Sequence, residues 1–493
     1  MSARADGPLS LARRALVTGT VWSTGGEALA AIAELARQIV AARVLAPGDM
    51  GLMGIVLLQM AVLDALTKTG FEQALVQRTE GAEPLYDVAW TWQACRGLLL
   101  GGALALVSPL IARVYGEPAL VPLMVAGSLH VALQGVHNIA LVGFSRELDF
   151  RTLFWMNVLR AAAHAGVAIP AIVLLKNVWG LVIGLVAGTV VSAVASYVVH
   201  PYRPKLDFSL ARAKKLASFG KWITLLTIMV FLIVQGDDLF VSRYLGKVAL
   251  AFYVLAYDVS NLPTTKISHV LARVAFPAYA RLQHDKESLR GAFVDVMRAT
   301  MLLAAPVAVA IYFVMPHVVA HVIGEKWAPV VPIVRVLVAS SVVRAFAALA
   351  GPLFQAVGRP DLDFKMNLPR FLVMLLLIWP ACARFELVGA AWVVFVAICT
   401  TVPVWLHGVR RLLELSPAQV LGHNALAAVS AGILGLAFFG AGLVLAGDAL
   451  RDLASVVLAF GLWLAAMAVL EKLTPWKLYS EAARLRAAVT AAR

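Results

Sequence analysis

The stretch VWGLVIGLVAGTVVSAVASYVVH, Val178 to His200, decides the fold. It holds no Asp, Glu, Lys or Arg, and basic residues Arg203 and Lys205 follow it directly. A hydrocarbon crossing needs roughly 20 mainly apolar residues, so this segment reads as a membrane-spanning helix. Working outward, similar segments cover 15–42, 50–70, 86–112, 118–141, 152–175 and 178–200. Further along come 222–244, 248–275, 297–323, 329–352, 365–382, 386–406, 423–446 and 450–471. That makes about fourteen crossings. Turn chemistry punctuates them at Pro47-Gly48, Gly116-Glu117-Pro118 and Gly358-Arg359-Pro360. No polar gap is long enough for a soluble domain, so the fold class is an all-α integral membrane protein.

Composition agrees. The chain has 493 residues, 61% hydrophobic and only 14% charged, yet a net charge of +14. In a soluble protein that excess suggests nucleic acid. Here it is explained by Lys and Arg gathering in cytoplasmic loops to fix orientation, and no nucleic-acid partner is expected. With the N-terminus inside, one set of loops holds Arg13, Arg14, Arg203, Lys205, Lys214, Lys215, Arg281, Lys286, Arg410 and Lys477 among others. The opposite set holds little beyond Arg43, Arg113, Lys176, Lys247, Lys326 and Arg451. Both termini are therefore expected in the cytoplasm. Two basic-aromatic stretches, Pro201–Lys221 and Trp476–Arg486, read as segments resting at the headgroup level. The second would be a cytoplasmic amphipathic tail.

An internal repeat organises the crossings. Val40-Ala-Ala-Arg43-Val-Leu45 lies 200 residues before Phe240-Val-Ser-Arg243-Tyr-Leu245, and Trp22 pairs with Trp222 at the same offset. The expected division is an N-lobe at 1–205, a C-lobe at 206–415, and two further helices with a tail at 416–493. Parallel repeats of this kind are a transporter arrangement, with the site between the halves. The offset also makes Arg37 and Asp237 equivalent, and predicts that Arg37 pairs with Asp237 or Asp238 when the cavity faces inward.

Ionisable groups inside a crossing are costly and mark cavities or partners. The first helix carries Glu27, Glu34 and Gln38 within roughly 40° of one another on one face, flanked by Arg37. The seventh carries Gln235, Asp237 and Asp238. The eighth carries Asp258, Asn261 and His269, with Pro263 predicting a kink. His130, Gln134 and His137 mark the fourth, and Asn157, Arg160 and His164 the fifth. Arg96 and Arg344 add cations to the third and tenth. Interhelical glue explains any single one of these; the whole set points to a hydrated cavity. Arg37, Arg96, Arg160 and Arg344 offer planar forks suited to phosphate and are the candidate binders of an anionic group. Glu34, Asp237, Asp238 and Asp258 are the candidates for H+ or Na+ coupling. Cys95, Cys382 and Cys399 have no metal-ligand spacing. There is no Gly-rich phosphate loop, His/Cys cluster or nucleophile elbow, so neither an enzyme nor a bound cofactor is expected.

Several stretches together resemble one family. They are Ala42-Arg-Val-Leu-Ala-Pro-Gly-Asp-Met-Gly-Leu52, Phe71-Glu-Gln-Ala-Leu-Val-Gln-Arg78 and Phe144-Ser-Arg-Glu-Leu-Asp-Phe-Arg151. With them go Gly236-Asp-Asp-Leu-Phe-Val-Ser-Arg-Tyr-Leu-Gly246, Phe276-Pro-Ala-Tyr-Ala-Arg281 and Gly358-Arg-Pro-Asp-Leu362. In order and spacing they resemble the Wzx-like polysaccharide flippases of the multidrug/oligosaccharidyl-lipid/polysaccharide exporter superfamily. The resemblance implies two six-helix lobes around a central cavity, extra C-terminal helices, and alternating access in a bacterial inner membrane. It implies export of an undecaprenyl-diphosphate-linked oligosaccharide, with polysaccharide polymerase and glycosyltransferases as partners. At Gln235-Gly236-Asp237 the chain departs from a common family pattern, in which Asn precedes the Asp pair. The rival readings are a lipid II flippase, a cation-coupled drug exporter of the same superfamily, and a membrane-embedded polymerase. A drug exporter predicts an acid-dominated cavity, and a polymerase a sizeable outer loop.

Overall fold

The computed structural model describes residues 29–67, 71, 75, 85–146, 149–210, 212, 231–445 and 449–473. These residues are almost wholly helical, with no strand among them. Nine helical stretches among them are long and apolar enough to cross a membrane. The chain divides into two compact units that meet in sequence at Val248 and Ala249.

The first unit contains α1 (29–44), α2 (Pro47–Thr67), α3 (Tyr86–Tyr115), α4 (Leu120–Gly135), α5 (Phe150–Leu175), α6 (Trp179–Val199) and α7 (231–244). Pro47 opens α2 at the position where a missing N–H costs nothing. Gly116 closes α3 with φ 67°, a left-handed cap that a side chain disfavours. The α5–α6 hairpin is packed on small residues. A Cβ on Gly184 would lie 2.4 Å from that of Ala168, and one on Gly188 would lie 2.9 Å from that of His164. Without a hydrophobic drive inside lipid, such close backbone approach supplies the contact energy. The α3–α4 pair does the same where Gly97 meets Gly135.

After α6 the chain follows an irregular path over 201–209; most of the rest of the expected surface segment Pro201–Lys221 lies outside the described residues. The main chain over 201–209 is tied to α3: Lys205 N–H donates to Asp87 at 2.9 Å and Asp207 N–H to the Thr91 hydroxyl at 2.9 Å. Tyr202 also donates to Asp87. Burial, then this bond and the carboxylate charge, raise the Tyr202 phenol above its ordinary value. The tail at Trp476–Arg486 lies outside the described residues.

The second unit opens with α8 (Lys247–Ser260) and α9 (His269–Leu282), joined by a π-helical turn over Pro263–Ser268. This is the kink that Pro263 predicts, since its ring and missing N–H interrupt the ladder. Next comes α10 (Lys286–His317), which starts well before the expected 297. Asp285 caps it by accepting from the N–H groups of Glu287 and Ser288, and Lys286 pairs with Glu414 at 2.5 Å. A π-helical run, Val318–Ile323, follows and ends at Gly324 with φ 101°. The unit continues through α11 (Val330–Ala356), α12 (Pro360–Cys399), α13 (Thr401–Leu413), α14 (Pro417–His423), α15 (Ala425–Leu445) and α16 (Ala449–Leu473). Inside α12 the helical path breaks at Glu386, φ 50° and ψ −131°, which coincides with the start expected for the twelfth crossing. Tyr279, Phe293, Phe354 and Trp405 centre the core between α9, α10, α11 and α13.

Candidate functional site

A cavity of about 480 Å³ lies within the first unit, among α3, α4, α5 and α6. Its wall sets polar side chains among apolar ones such as Leu153 and Leu185. From α4, His130 Nδ1 meets the Thr189 hydroxyl at 2.5 Å and His130 Nε2 meets Gln134 at 2.9 Å. One turn on, His137 Nε2 meets Ser192 at 3.1 Å. From α5, Arg160 and His164 enter the same space. The Gly184–Gly188 stripe brings α6 flush against α5 here: a Cβ on Gly188 would stand 3.3 Å from the Arg160 carbonyl oxygen. Small residues thus position the cation, and Thr189 and Ser192 on the same helix supply hydroxyls.

The four candidate arginines fall into two kinds. Arg37 is ion-paired with Glu34, one turn back on α1, with Nε at 3.1 Å. Glu34 also lies 3.8 Å from His164. In this structure Arg37 takes Glu34, because two groups at i and i+3 share one helix face; the pairing with Asp237 or Asp238 is expected of an inward-facing state. Arg96 is paired with Asp64 at 2.6 Å and donates to Thr67. The other two have no carboxylate partner among the described residues. Arg160 donates to the neutral Asn157 amide oxygen at 3.0 Å. In the second unit, Arg344 donates to the Tyr257 hydroxyl at 2.8 Å and to Asn261 at 2.9 Å, with its charge 5.0 Å from the centre of the Tyr257 ring. Its Nε is buried without a bond.

The remaining candidates are dispersed. Asp237 is 2% exposed and accepts from the Asp238 N–H at 3.1 Å. Gln235 has a buried amide oxygen without a partner. Asp258 is exposed on α8 and Gln38 half-buried on α1. His269 begins α9, and its side chain, like all of Glu27, lies outside the described residues. The structure brings Glu34, Arg160 and His164 together with His130, Gln134 and His137, and Arg96 of the same unit is not in that lining. Sequence reasoning missed Asp64, Thr189 and Ser192. Gly180, Gly184, Gly188 and Ser192 recur every four residues, and that small-residue stripe was the available signal for the last two.

The polysaccharide biosynthesis protein family matches residues 40–332. The chain belongs to this family. Among its relatives is the lipopolysaccharide biosynthesis protein WzxC of Escherichia coli K12, 28% identical over 72% of this chain and 73% of the relative. The succinoglycan biosynthesis transport protein ExoT of Rhizobium meliloti is 25% identical over 73% and 76%. The teichuronic acid biosynthesis protein TuaB of Bacillus subtilis is 26% identical over 66% and 68%. Among solved structures, the lipid II flippase MurJ in an inward closed conformation superposes with a TM-score of 0.71 at 13% identity, covering 92% of this chain and 99% of that one. An inward-facing multidrug transporter of the MATE family gives 0.60 at 16% identity, covering 78% and 95%. This member of the polysaccharide biosynthesis family therefore has the fold of these transporters.

Proposed function

We propose that this protein is a flippase that carries an oligosaccharide on undecaprenyl diphosphate from the cytoplasmic to the periplasmic leaflet of a bacterial inner membrane, by alternating access. Membership of the polysaccharide family supports the sugar, since its relatives are named for lipopolysaccharide, teichuronic acid and succinoglycan biosynthesis. The observation that carries the diphosphate reading is Arg160. It is a permanent cation in a cavity lined by imidazoles, amides and hydroxyls, and its one hydrogen-bond partner among the described residues is a neutral amide. A planar guanidinium whose hydrogen bond goes to an amide rather than a carboxylate suits a bidentate phosphate. Imidazoles and amides around it suit sugar hydroxyls, each being a donor or an acceptor.

The proposed topology is fourteen crossings, both termini cytoplasmic, as an N-lobe at 1–205, a C-lobe at 206–415 and a C-terminal pair of helices. The break at Glu386 supports two crossings where the chain is otherwise continuously helical over 53 residues. Glu34 and the acid pair Asp237 and Asp238 are the proposed coupling groups for H+ or Na+. Polymerase and glycosyltransferases are the proposed neighbours in the same synthesis. The test is a deletion strain complemented with wild type or Arg160→Ala at matched expression. Wild type restores surface polysaccharide; the variant leaves lipid-linked oligosaccharide on the cytoplasmic side. Restoration by Arg160→Ala removes this residue from the site.

A further inference from the structure

A second cluster of ionisable groups lies far along the chain from the cavity. His317 closes α10 and His321 sits in the π-helical run that follows. Both face Asp452, in the first turn of α16. His317 Nδ1 and His321 Nε2 each stand 2.8 Å from the same oxygen, Asp452 Oδ2. The three atoms lie within 4.8 Å of one another. The carboxylate is 14% exposed and each imidazole 34%, so the group is shielded yet has a way in from solvent.

Local structure explains the convergence. Residues at i and i+4 share a helix face, and the π-helical widening beginning at Val318 changes how the two rings splay. Single π-turns recur at functional positions. The Gly324 left-handed turn ends the run, its N–H bonded to Val319 at 2.8 Å. One turn before His317, Phe313 stacks on Phe438 of α15 with centroids 5.5 Å apart and rings nearly parallel. Phe438 in turn meets Phe460 of α16 edge-on. The aromatic column fixes α10 against the α15–α16 hairpin, which holds the three ligand atoms in register.

We propose that His317, His321 and Asp452 form a binding site for a divalent transition-metal ion of the zinc class, clasping α10 to the α15–α16 hairpin. Two imidazoles and one carboxylate suit zinc, copper or nickel; calcium and magnesium prefer oxygen ligands alone. Three protein ligands leave a fourth tetrahedral position for water. Each imidazole would ligate through the nitrogen that now faces Asp452, any proton there passing to the other ring nitrogen or to solvent, and the ligand atoms would spread slightly to admit bonds of about 2.0–2.2 Å. On the topology proposed above this end of the hairpin is periplasmic, but the site does not depend on that reading or on the transported substrate.

The experiment uses the full chain, purified in detergent without a histidine tag and stripped with EDTA. Zinc chloride alone is titrated, with retained metal counted by mass spectrometry after desalting. The wild type is expected to retain one zinc per chain and to melt at a higher temperature with zinc than without, as any ligand of the native state requires. His321→Gln keeps a donor for Asp452 and should melt like the metal-free wild type. Its zinc affinity should fall by at least about tenfold, the lower end of what even an outer-shell change costs a metal site. His317→Ala/His321→Ala should retain none. Zinc retention by His321→Gln equal to wild type, or no retention by wild type, overturns the proposal. In the second case the cluster is a hydrogen-bonded clasp alone.

Discussion

Arg160 and Arg344 are intramembrane arginines, yet they occupy different settings. Arg160 opens onto a 480 Å³ cavity and is held by one amide oxygen. Arg344 is held by a hydroxyl, an amide and an aromatic face together. A cation over a ring, with two charge-assisted bonds, is already solvated by the protein. The first is thus poised to exchange a weak partner for a ligand, whereas the second organises its own unit. A positive charge in a membrane helix does not by itself identify a binding residue; its counter-charge and its neighbours do.

The sharpest way to break this contrast is to remove the wall that positions Arg160. Gly184→Leu forces new atoms into Ala168, whose Cβ is only 2.4 Å from where a Cβ would begin. Overpacking typically costs about 1–3 kcal/mol, and a backbone-to-backbone contact lies at the upper end. The expected outcome is loss of monodisperse protein in size-exclusion chromatography. Gly166→Ala, on the facing helix with open space around it, should elute and melt as wild type. Equal behaviour of the two would show that the α5–α6 contact does not hold the cavity.

Next in size is the charge itself. Losing a charge-assisted hydrogen bond costs about 1.5–3 kcal/mol, so Arg160→Ala should lower the export rate by roughly 10- to 150-fold while expression holds. Arg160→Lys should recover part of it, because it keeps the charge and loses the fork. The readout is polysaccharide released per unit of membrane protein. Full activity of the lysine variant would argue for a point charge rather than bidentate recognition.

How far this contrast was legible in the sequence follows from the same residues. Long apolar runs fix helices because every backbone group must be satisfied inside lipid, so α5 and α6 and the breaks near Pro263 and Glu386 could be read directly. The cavity was legible as a set of polar positions, His130, Gln134, His137 and Arg160, on an apolar background. Pairing was not. Arg37 takes Glu34 from its own helix face, where spacing alone gives the answer, whereas the repeat points to Asp237 in an inward-facing state. Asp64 sits on α2 and Arg96 on α3, and nothing in either segment encodes the distance between them. Tertiary register decides such pairs, and a single chain carries no record of it.

A smaller effect tests the held arginine. Tyr257→Phe removes one bond to Arg344 and leaves the ring beneath its charge. One bond of this kind contributes about 0.5–1.5 kcal/mol net, rising toward the charged-group range, so a lowered melting temperature in detergent is expected with export largely retained. Arg344→Ala should lower the melting temperature further, since it removes both bonds and the ring contact. If Tyr257→Phe instead abolished export at unchanged melting temperature, Arg344 would belong with Arg160 as a ligand-binding cation.

The smallest expected effect concerns Arg96 and Asp64, whose side chains are 23% and 57% exposed. Half-exposed ion pairs couple weakly, about 0.2–1 kcal/mol in double-mutant cycles. Asp64→Asn should release Arg96 from its counter-charge and lower the melting temperature slightly. Arg96→Gln should do the same, and the double variant should sit close to either single one, because the shared interaction is lost only once. Melting curves of the four proteins give the coupling directly. A coupling several times larger would mean that the pair is shielded from water in the membrane, and that removing one partner strands a charge there. Arg96 would then be a structural cation locked to α2, still distinct from Arg160, which forms no ion pair among the described residues.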